Sequence, residues 1–317
     1  MNTPVFDLHC DTPLALLGKD LTGGVSLMKN KGHIDLTRAR SLYGYAQCFA
    51  CFTTPMMRQW YQASPVLIFE HEMGAILEQI EKYPDLIRQA YTAADVRDNL
   101  KNHRMSAILT IEGPAGFDYD PALLPDLYAV GFRMTTLGWN EKNPLTGSHE
   151  TGGGLTEQGR EYLEEAQRCG MIVDVSHISD EGFWDIMELT TAPVIASHSN
   201  SRAVRDISRN ITDDMFRAIC QTGGVVGMNQ YADFVGAPAT LDGVCDHVIH
   251  FLEMDPEGKH IALGGDLDGC EELSEGFADV GSYPAFAKRL LERGVDETLL
   301  SKIFWENALG VMEKCCI

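Results

Sequence analysis

Six residues of the types that bind metal ions or move protons each end a short apolar run: His9, Asp11, Glu112, His177, His198 and Asp266. Imidazole nitrogens and carboxylate oxygens are ordinary zinc donors, and a site built from them can keep positions open for water. The first two lie in "VFDLHCDTP", residues 4–12. Read as a strand, this stretch alternates its side chains between two faces. Asp7, His9 and Asp11 then share one face, on which Val5 is the first apolar residue. Buried unpaired charges are costly, so a cation is the expected compensation. Neutral imidazoles cannot balance two dications, and carboxylates must contribute. Glu112 could bridge two ions with its two oxygens, with His9 and Asp11 completing one site and His177 with His198 the other. No lysine ends any of these runs, which favours glutamate over a modified lysine as the bridge.

The elements that must position these residues are β-rich runs at 4–9, 45–53, 105–111, 131–137, 171–176, 193–197, 223–229 and 260–265. Helical periodicity intervenes at about 64–83, 121–130, 156–169, 180–189, 212–221, 240–253, 282–293 and 297–314. Strands alternating with helices imply parallel βαβ units. Eight repeats predict an α/β fold of the (β/α)8 TIM-barrel type, in which chemistry gathers at the C-terminal ends of the strands. All six residues occupy such ends. No G-x-G-x-x-G follows the first strand, which weighs against an open dinucleotide-binding sheet. With no Pro/Ser-rich linker, residues 1–317 read as a single catalytic domain with a polar insertion after the first strand at about 18–44. The "TGGGL" at 151–155 reads as a flexible loop.

A net charge of −21 argues against a nucleic-acid partner, whose phosphates would be repelled. No apolar stretch approaches the ~18 residues of a membrane span, and no basic-then-apolar leader is evident at the start, so a cytoplasmic location with no membrane partner is expected. The nine cysteines are then expected to be reduced thiols. Cys48 and Cys51 form a C-x-x-C inside an apolar run with no second pair at metal-ligand spacing. The terminal "KCCI" is not a prenylation box, because Lys314 stands where the cysteine would be needed. "HEMGA" at His71 lacks the second histidine of H-E-x-x-H, having Ala75 there. His33, His103, His247, His250 and His260 read as structural, while His149 falls on the rim of the expected site.

His9-x-Asp11, "TIEGP" around Glu112, "DVSH" at His177, "ASHSN" at His198, "SRN" at 208–210 and "GGDLDG" at 264–269 together resemble the membrane (renal) dipeptidase family of binuclear zinc peptidases, in order and across nearly the whole chain. The resemblance implies a (β/α)8 barrel holding two zinc ions per chain, often as a homodimer, that hydrolyses small dipeptides and commonly tolerates a D-residue second. It implies that His9, Asp11 and Glu112 hold one zinc, that Glu112, His177 and His198 hold the other, that Asp266 is the acid/base beside a bridging water, and that Arg209 holds the substrate carboxylate. The expected chemistry is attack by a metal-bridging hydroxide, since zinc lowers the pKa of bound water to about 7. One departure stands out. In mammalian members the loop after the strand at 131–137 carries a histidine that approaches the substrate carbonyl, and here Trp139 occupies that place. An indole N–H donates a hydrogen bond but does not titrate; Asn140 and His149 are the residues that could compensate. Two other readings remain: another metal-dependent amidohydrolase on the same barrel (a deaminase or lactonase), against which His-x-Asp rather than His-x-His weighs, and a non-catalytic metal-binding relative, against which the complete residue set weighs.

Overall fold

A computed structural model describes residues 2–18, 21 and 23–316. Among these described residues, nine strands form one parallel sheet: β1 (Val5–Cys10), β2 (Tyr45–Phe52), β3 (Ile87–Gln89), β4 (Met105–Glu112), β5 (Phe132–Thr136), β6 (Ile172–Asp174), β7 (Val194–Ile195), β8 (Val226–Met228) and β9 (Ile261–Leu263). Eight follow the order β7-β6-β5-β4-β2-β1-β9-β8. A parallel bridge from Ala196 to Val226 joins the two ends of that order, giving a nearly closed α/β barrel of the (β/α)8 type. Two glycines permit this closure. A Cβ on Gly227 or Gly264 would fall 1.9 or 1.7 Å from the Ser197 carbonyl oxygen, so β8 and β9 can approach the end of β7 only without side chains there.

β3 was not expected. "IRQ" carries one apolar residue, and its strand pairs only with the first residues of β4, from Ile87–Met105 to Gln89–Ala107. Period-2 alternation needs more residues than this to be visible. The predicted helices form at the expected places, several capped by their own sequence: Ser64, Thr156, Ser179, Thr212 and Thr240 each accept a backbone N–H in the first turn. Helices at Thr12–Leu17 and Ala93–Lys101 were not foreseen. The 297–314 helix is interrupted, running Glu297–Ser301, then a π-turn Lys302–Glu306, then Asn307–Cys315. After the π-turn, Asn307 Nδ2 donates to the Gly258 and Ile261 carbonyls, both at 2.7 Å.

The strands divide two cores. Phe6, Leu8, Ala46, Cys48, Ile108 and Met134 form a cluster with Trp305, Leu309 and Met312 of the last helical segment. Val5, Phe49, Cys51, Leu109 and Ile111 belong to the larger cluster with the surrounding helices. Cys48 and Cys51 therefore face opposite ways and cannot act as a pair. No cysteine among the described residues is in a disulfide, and no helix among them is long and apolar enough to cross a membrane.

The one-face reading of Asp7, His9 and Asp11 is overturned. Asp7 pairs with Gln47 and Cys10 with Phe49, so three steps on β1 oppose two on β2. This is a β-bulge, which re-aims the following side chain. Asp7 points into the helix layer, where the Tyr283 hydroxyl donates to Oδ2 and the Gly265 N–H donates to Oδ1 at 3.0 Å. His9 turns into the barrel mouth instead. Its backbone N–H donates to Asp7 Oδ1 at 3.0 Å, so the residue displaced from the face also satisfies a donor at the bulge.

Candidate active site

His9, Asp11, Glu112, His177, His198 and Asp266 converge at the C-terminal mouth of the barrel, all buried. His9 Nε2 lies 3.1 Å from Glu112 Oε2, 3.3 Å from Asp11 Oδ2 and 4.0 Å from Asp266 Oδ1. The other oxygen of Glu112, Oε1, lies 2.9 Å from His177 Nε2 and 3.7 Å from His198 Nε2. One carboxylate thus divides its two oxygens between two groups of donors.

The outer nitrogens of the imidazoles fix what the inner ones present. His177 Nδ1 lies 2.7 Å from Asn140 Oδ1, an atom that can only accept. His198 Nδ1 lies 2.6 Å from Ser197 Oγ, whose own proton goes to Asp174 Oδ2 at 2.5 Å. Each Nδ1 therefore carries the hydrogen, and each Nε2 turns a lone pair inward. Those two Nε2 atoms stand 3.0 Å apart. Two lone pairs aimed at each other at that distance repel unless a cation lies beside them. His9 Nε2 and Asp11 Oδ1 are likewise buried with no hydrogen-bond partner. The donor set fits divalent metal ions on both sides of Glu112, with outer partners of the kind that orient metal-binding histidines.

The titration behaviour has the same origin. Burial, assisted by Asp11 and Asp266 and opposed by His9, pushes Glu112 up to about 8. Burial and the charges of Arg209 and His9 hold His177 and His198 well below the ordinary imidazole range. Burial alone would lower His9, but Glu112 and Asp11 outweigh it and raise it well above that range.

Asp266 sits on a left-handed turn, φ 58°, and Asn229 Nδ2 donates to its Oδ2 at 3.0 Å. Burial raises its pKa. Arg209 is 4% exposed. Its Nη1 donates to Ser199 Oγ at 2.7 Å, and the guanidinium lies 5.2 Å from the Phe234 ring. Its Nε and Nη2 have no partner. Those two nitrogens form one edge of the fork, the arrangement that takes both oxygens of a carboxylate.

A cleft of about 320 Å³ opens over these groups, lined by Asp11, Glu112, His177 and Asp266 and by Leu14, Phe52, Trp139, Asn140, Tyr231 and Phe234 among others. Trp139 is half-buried, 6.2 Å from the His177 ring and edge-on to Phe52 at 5.1 Å. The sequence reading left Asn229 and Tyr231 unremarked. Both belong to "MNQY" directly after β8, a strand end whose neutral side chains carry no charge signal. It also missed Glu72, beside the exposed His71. Glu72 is 0% exposed with neither oxygen in a hydrogen bond, and burial with the nearby Asp11 charge raises it well above the carboxylate range. Two of the other histidines have backbone partners away from the cluster: His33 Nδ1 accepts from the Asp268 N–H and His247 Nδ1 from the Ser201 N–H.

The sequence of residues 1–315 matches the family model of the membrane dipeptidases, peptidase family M19. The chain belongs to the membrane dipeptidase family. As a member it is a metal-dependent dipeptidase. It is 32% identical to an uncharacterized dipeptidase of Schizosaccharomyces pombe over 97% of this chain and 80% of that one. Its structure superimposes with a TM-score of 0.87 on a metallopeptidase of Rhodobacter sphaeroides bound to a phosphinate mimic of the dipeptide L-Ala-D-Ala, at 28% identity and 99% coverage of each chain. A second solved M19 dipeptidase superimposes with a TM-score of 0.88, also at 28% identity, over 100% of this chain and 99% of that one.

His149 of this dipeptidase does not join the metal-donor cluster but braces it. Its Nε2 donates to Asn140 Oδ1 at 3.0 Å and its Nδ1 lies 3.1 Å from Ser208 Oγ. Burial, with Arg209 and Arg202 nearby, pushes it down to about 4. The folded state therefore favours the neutral ring, while the unfolded chain takes up a proton near 6.5. Stability from this group is complete above about pH 6.5 and is lost as pH falls towards 4. His149→Gln, which cannot titrate, is expected to show a smaller fall in Tm than the parent protein between pH 7 and pH 5. Parallel Tm curves would mean that His149 does not carry this dependence.

Proposed function

We propose that this dipeptidase binds two zinc ions and hydrolyses dipeptides that keep a free terminal carboxylate, L-Xaa-D-Xaa among them. The observation that carries the reading is the open edge of Arg209. A buried guanidinium with two unpartnered N–H groups is costly, and a carboxylate satisfies both at once. In a tripeptide bound in the same frame that position is occupied by an amide, so the contact selects for short substrates.

When bound, the metal ions supply Lewis acidity and lower the pKa of water. His9, Asp11 and Glu112 would hold one, and Glu112, His177 and His198 the other. The remaining steps belong to the chain's own residues. Arg209 and Ser199 fix the carboxylate end of the substrate. Asn229 anchors one oxygen of Asp266, leaving Oδ1 free above His9. That oxygen accepts a proton from the attacking water and returns it to the leaving nitrogen. Trp139 closes one side of the cleft and contributes no titrating group. The bound L-Ala-D-Ala mimic in the Rhodobacter sphaeroides relative supports the inclusion of D-residues in the second position.

The deciding experiment strips the protein of metal, reloads it with zinc, and measures hydrolysis of L-L and L-D dipeptides and the matching tripeptides. Zinc-restored cleavage of dipeptides, with tripeptides at least about 100-fold poorer, is expected. Equal rates on tripeptides would remove the carboxylate role from Arg209.

A further inference from the structure

We propose that this active site selects dipeptides whose first residue carries a bulky apolar side chain, seated against Leu14, Phe52 and Trp139. The inference rests on the dipeptidase reading above and adds the identity of the residue on the amino side of the cleaved bond.

The ring order makes the case. Arg209 lies in the loop after β7, and the strand four places away in either direction is β2. Phe52 is the last residue of β2. A dipeptide with its carboxylate on Arg209 and its peptide bond over Glu112 must therefore extend its first residue towards β2. The cleft wall it meets there is apolar. Phe52 is edge-on to Trp139 at 5.1 Å, and Trp60 backs Trp139 edge-on at 5.8 Å. Leu14 completes the lining and packs with Phe52 and Trp139 around Met57 and Ile68.

Apart from Asp11 and Glu112, which belong to the donor cluster around His9, the carboxylates of the cleft lie elsewhere. Asp266, Asp268 and Glu271 follow β9, the neighbour of β1 on its other side. Asp268 is already committed, accepting from Thr12 Oγ1 at 2.7 Å and the His33 N–H at 2.5 Å. That flank suits the substrate's ammonium group. The first α-carbon then has its amine on the acidic flank and its side chain on the aromatic one. A charged side chain would be desolvated there against rings with no partner, which is unfavourable. An apolar one removes its own surface and that of Leu14, Phe52 and Trp139 from water.

The test is kcat/KM for the zinc-loaded protein on Gly-Ala, Ala-Ala, Leu-Ala, Phe-Ala, Asp-Ala and Lys-Ala, with Ala-Gly and Ala-Leu to vary the second residue. Leu-Ala and Phe-Ala are expected to exceed Gly-Ala by about 10- to 100-fold, with Asp-Ala and Lys-Ala below Ala-Ala. In Leu14→Asn the Leu-Ala to Gly-Ala ratio is expected to fall at least about threefold. A flat series with good turnover, or a preference that follows the second residue instead, overturns the proposal and leaves the dipeptidase reading standing. No turnover of any dipeptide overturns both.

Discussion

Asp266→Asn is expected to keep its metal and lose about 10²- to 10⁴-fold in kcat, the range general acid–base catalysis contributes. The substitution is conservative in shape. Asn tolerates the left-handed backbone that residue 266 adopts at φ 58°, and its amide oxygen can still accept from Asn229 Nδ2. What it removes is the capacity to take a proton from water and return it to nitrogen. Metal analysis alongside kinetics separates this from the competing role, because Asp266 also lies near His9 and Asp11 in a group able to hold an ion. Retained metal with the rate lost fits proton transfer. Metal lost along with the rate would make Asp266 a ligand instead, and an unchanged kcat would remove it from the chemistry.

Metal removal is expected to lower Tm by on the order of 10 °C. An ion at a thousand times its Kd stabilises the folded state by about 4 kcal/mol, and each kcal/mol moves Tm by roughly 2–4 °C in a domain somewhat smaller than this one. The sign of the pH dependence follows from the cluster. Without cations the folded protein holds Glu112 protonated up to about 8, whereas an unfolded glutamate loses its proton near 4.3. Glu112 therefore stabilises the stripped protein most at low pH, and that contribution is lost as pH rises through 8. His9, also raised, acts in the same direction. His177 and His198, held down, lose their influence above about 6.5. The Tm difference between loaded and stripped protein should consequently widen between pH 6.5 and 8, as differential scanning calorimetry would show. A gap that narrowed over that interval would contradict the clustering of these groups around Glu112.

The sequence exposed the charged half of the site and hid the neutral half. His9, Glu112, His177, His198 and Asp266 were legible because each interrupts an apolar run at a strand end, where a charge has no structural reason to stand. Asn229 was not, since an amide at a strand end is common in turns and announces no compensation. Arg209 needed the family resemblance, as its run "ISRN" has the composition of an ordinary surface loop. The phase error at Asp7 has a different cause. A period-2 pattern assumes an unbroken register, and a one-residue bulge reverses every assignment beyond it. The double glycine at 264–265 was the available hint, because Gly265 leaves room for the Asp7 carboxylate, which would lie 2.9 Å from a Cβ at that position. Glu72 was illegible because a neutral buried carboxyl has the same letter as a solvated one on a helix whose neighbours, Glu70 and His71, are exposed.

The contact of Phe6 with Trp305, their rings 5.8 Å apart, bears on how the molecule comes into being. The side chains of the first strand are sealed by a segment the ribosome makes some three hundred residues later. Emerging N-terminal first, the early strands must wait with their apolar floor uncovered until Trp305, Leu309 and Met312 arrive to cork it. A nascent chain halted before residue 300 would carry every side chain of the candidate metal cluster and still present an open, sticky underside, a natural handle for the chaperones that hold unfinished barrels apart.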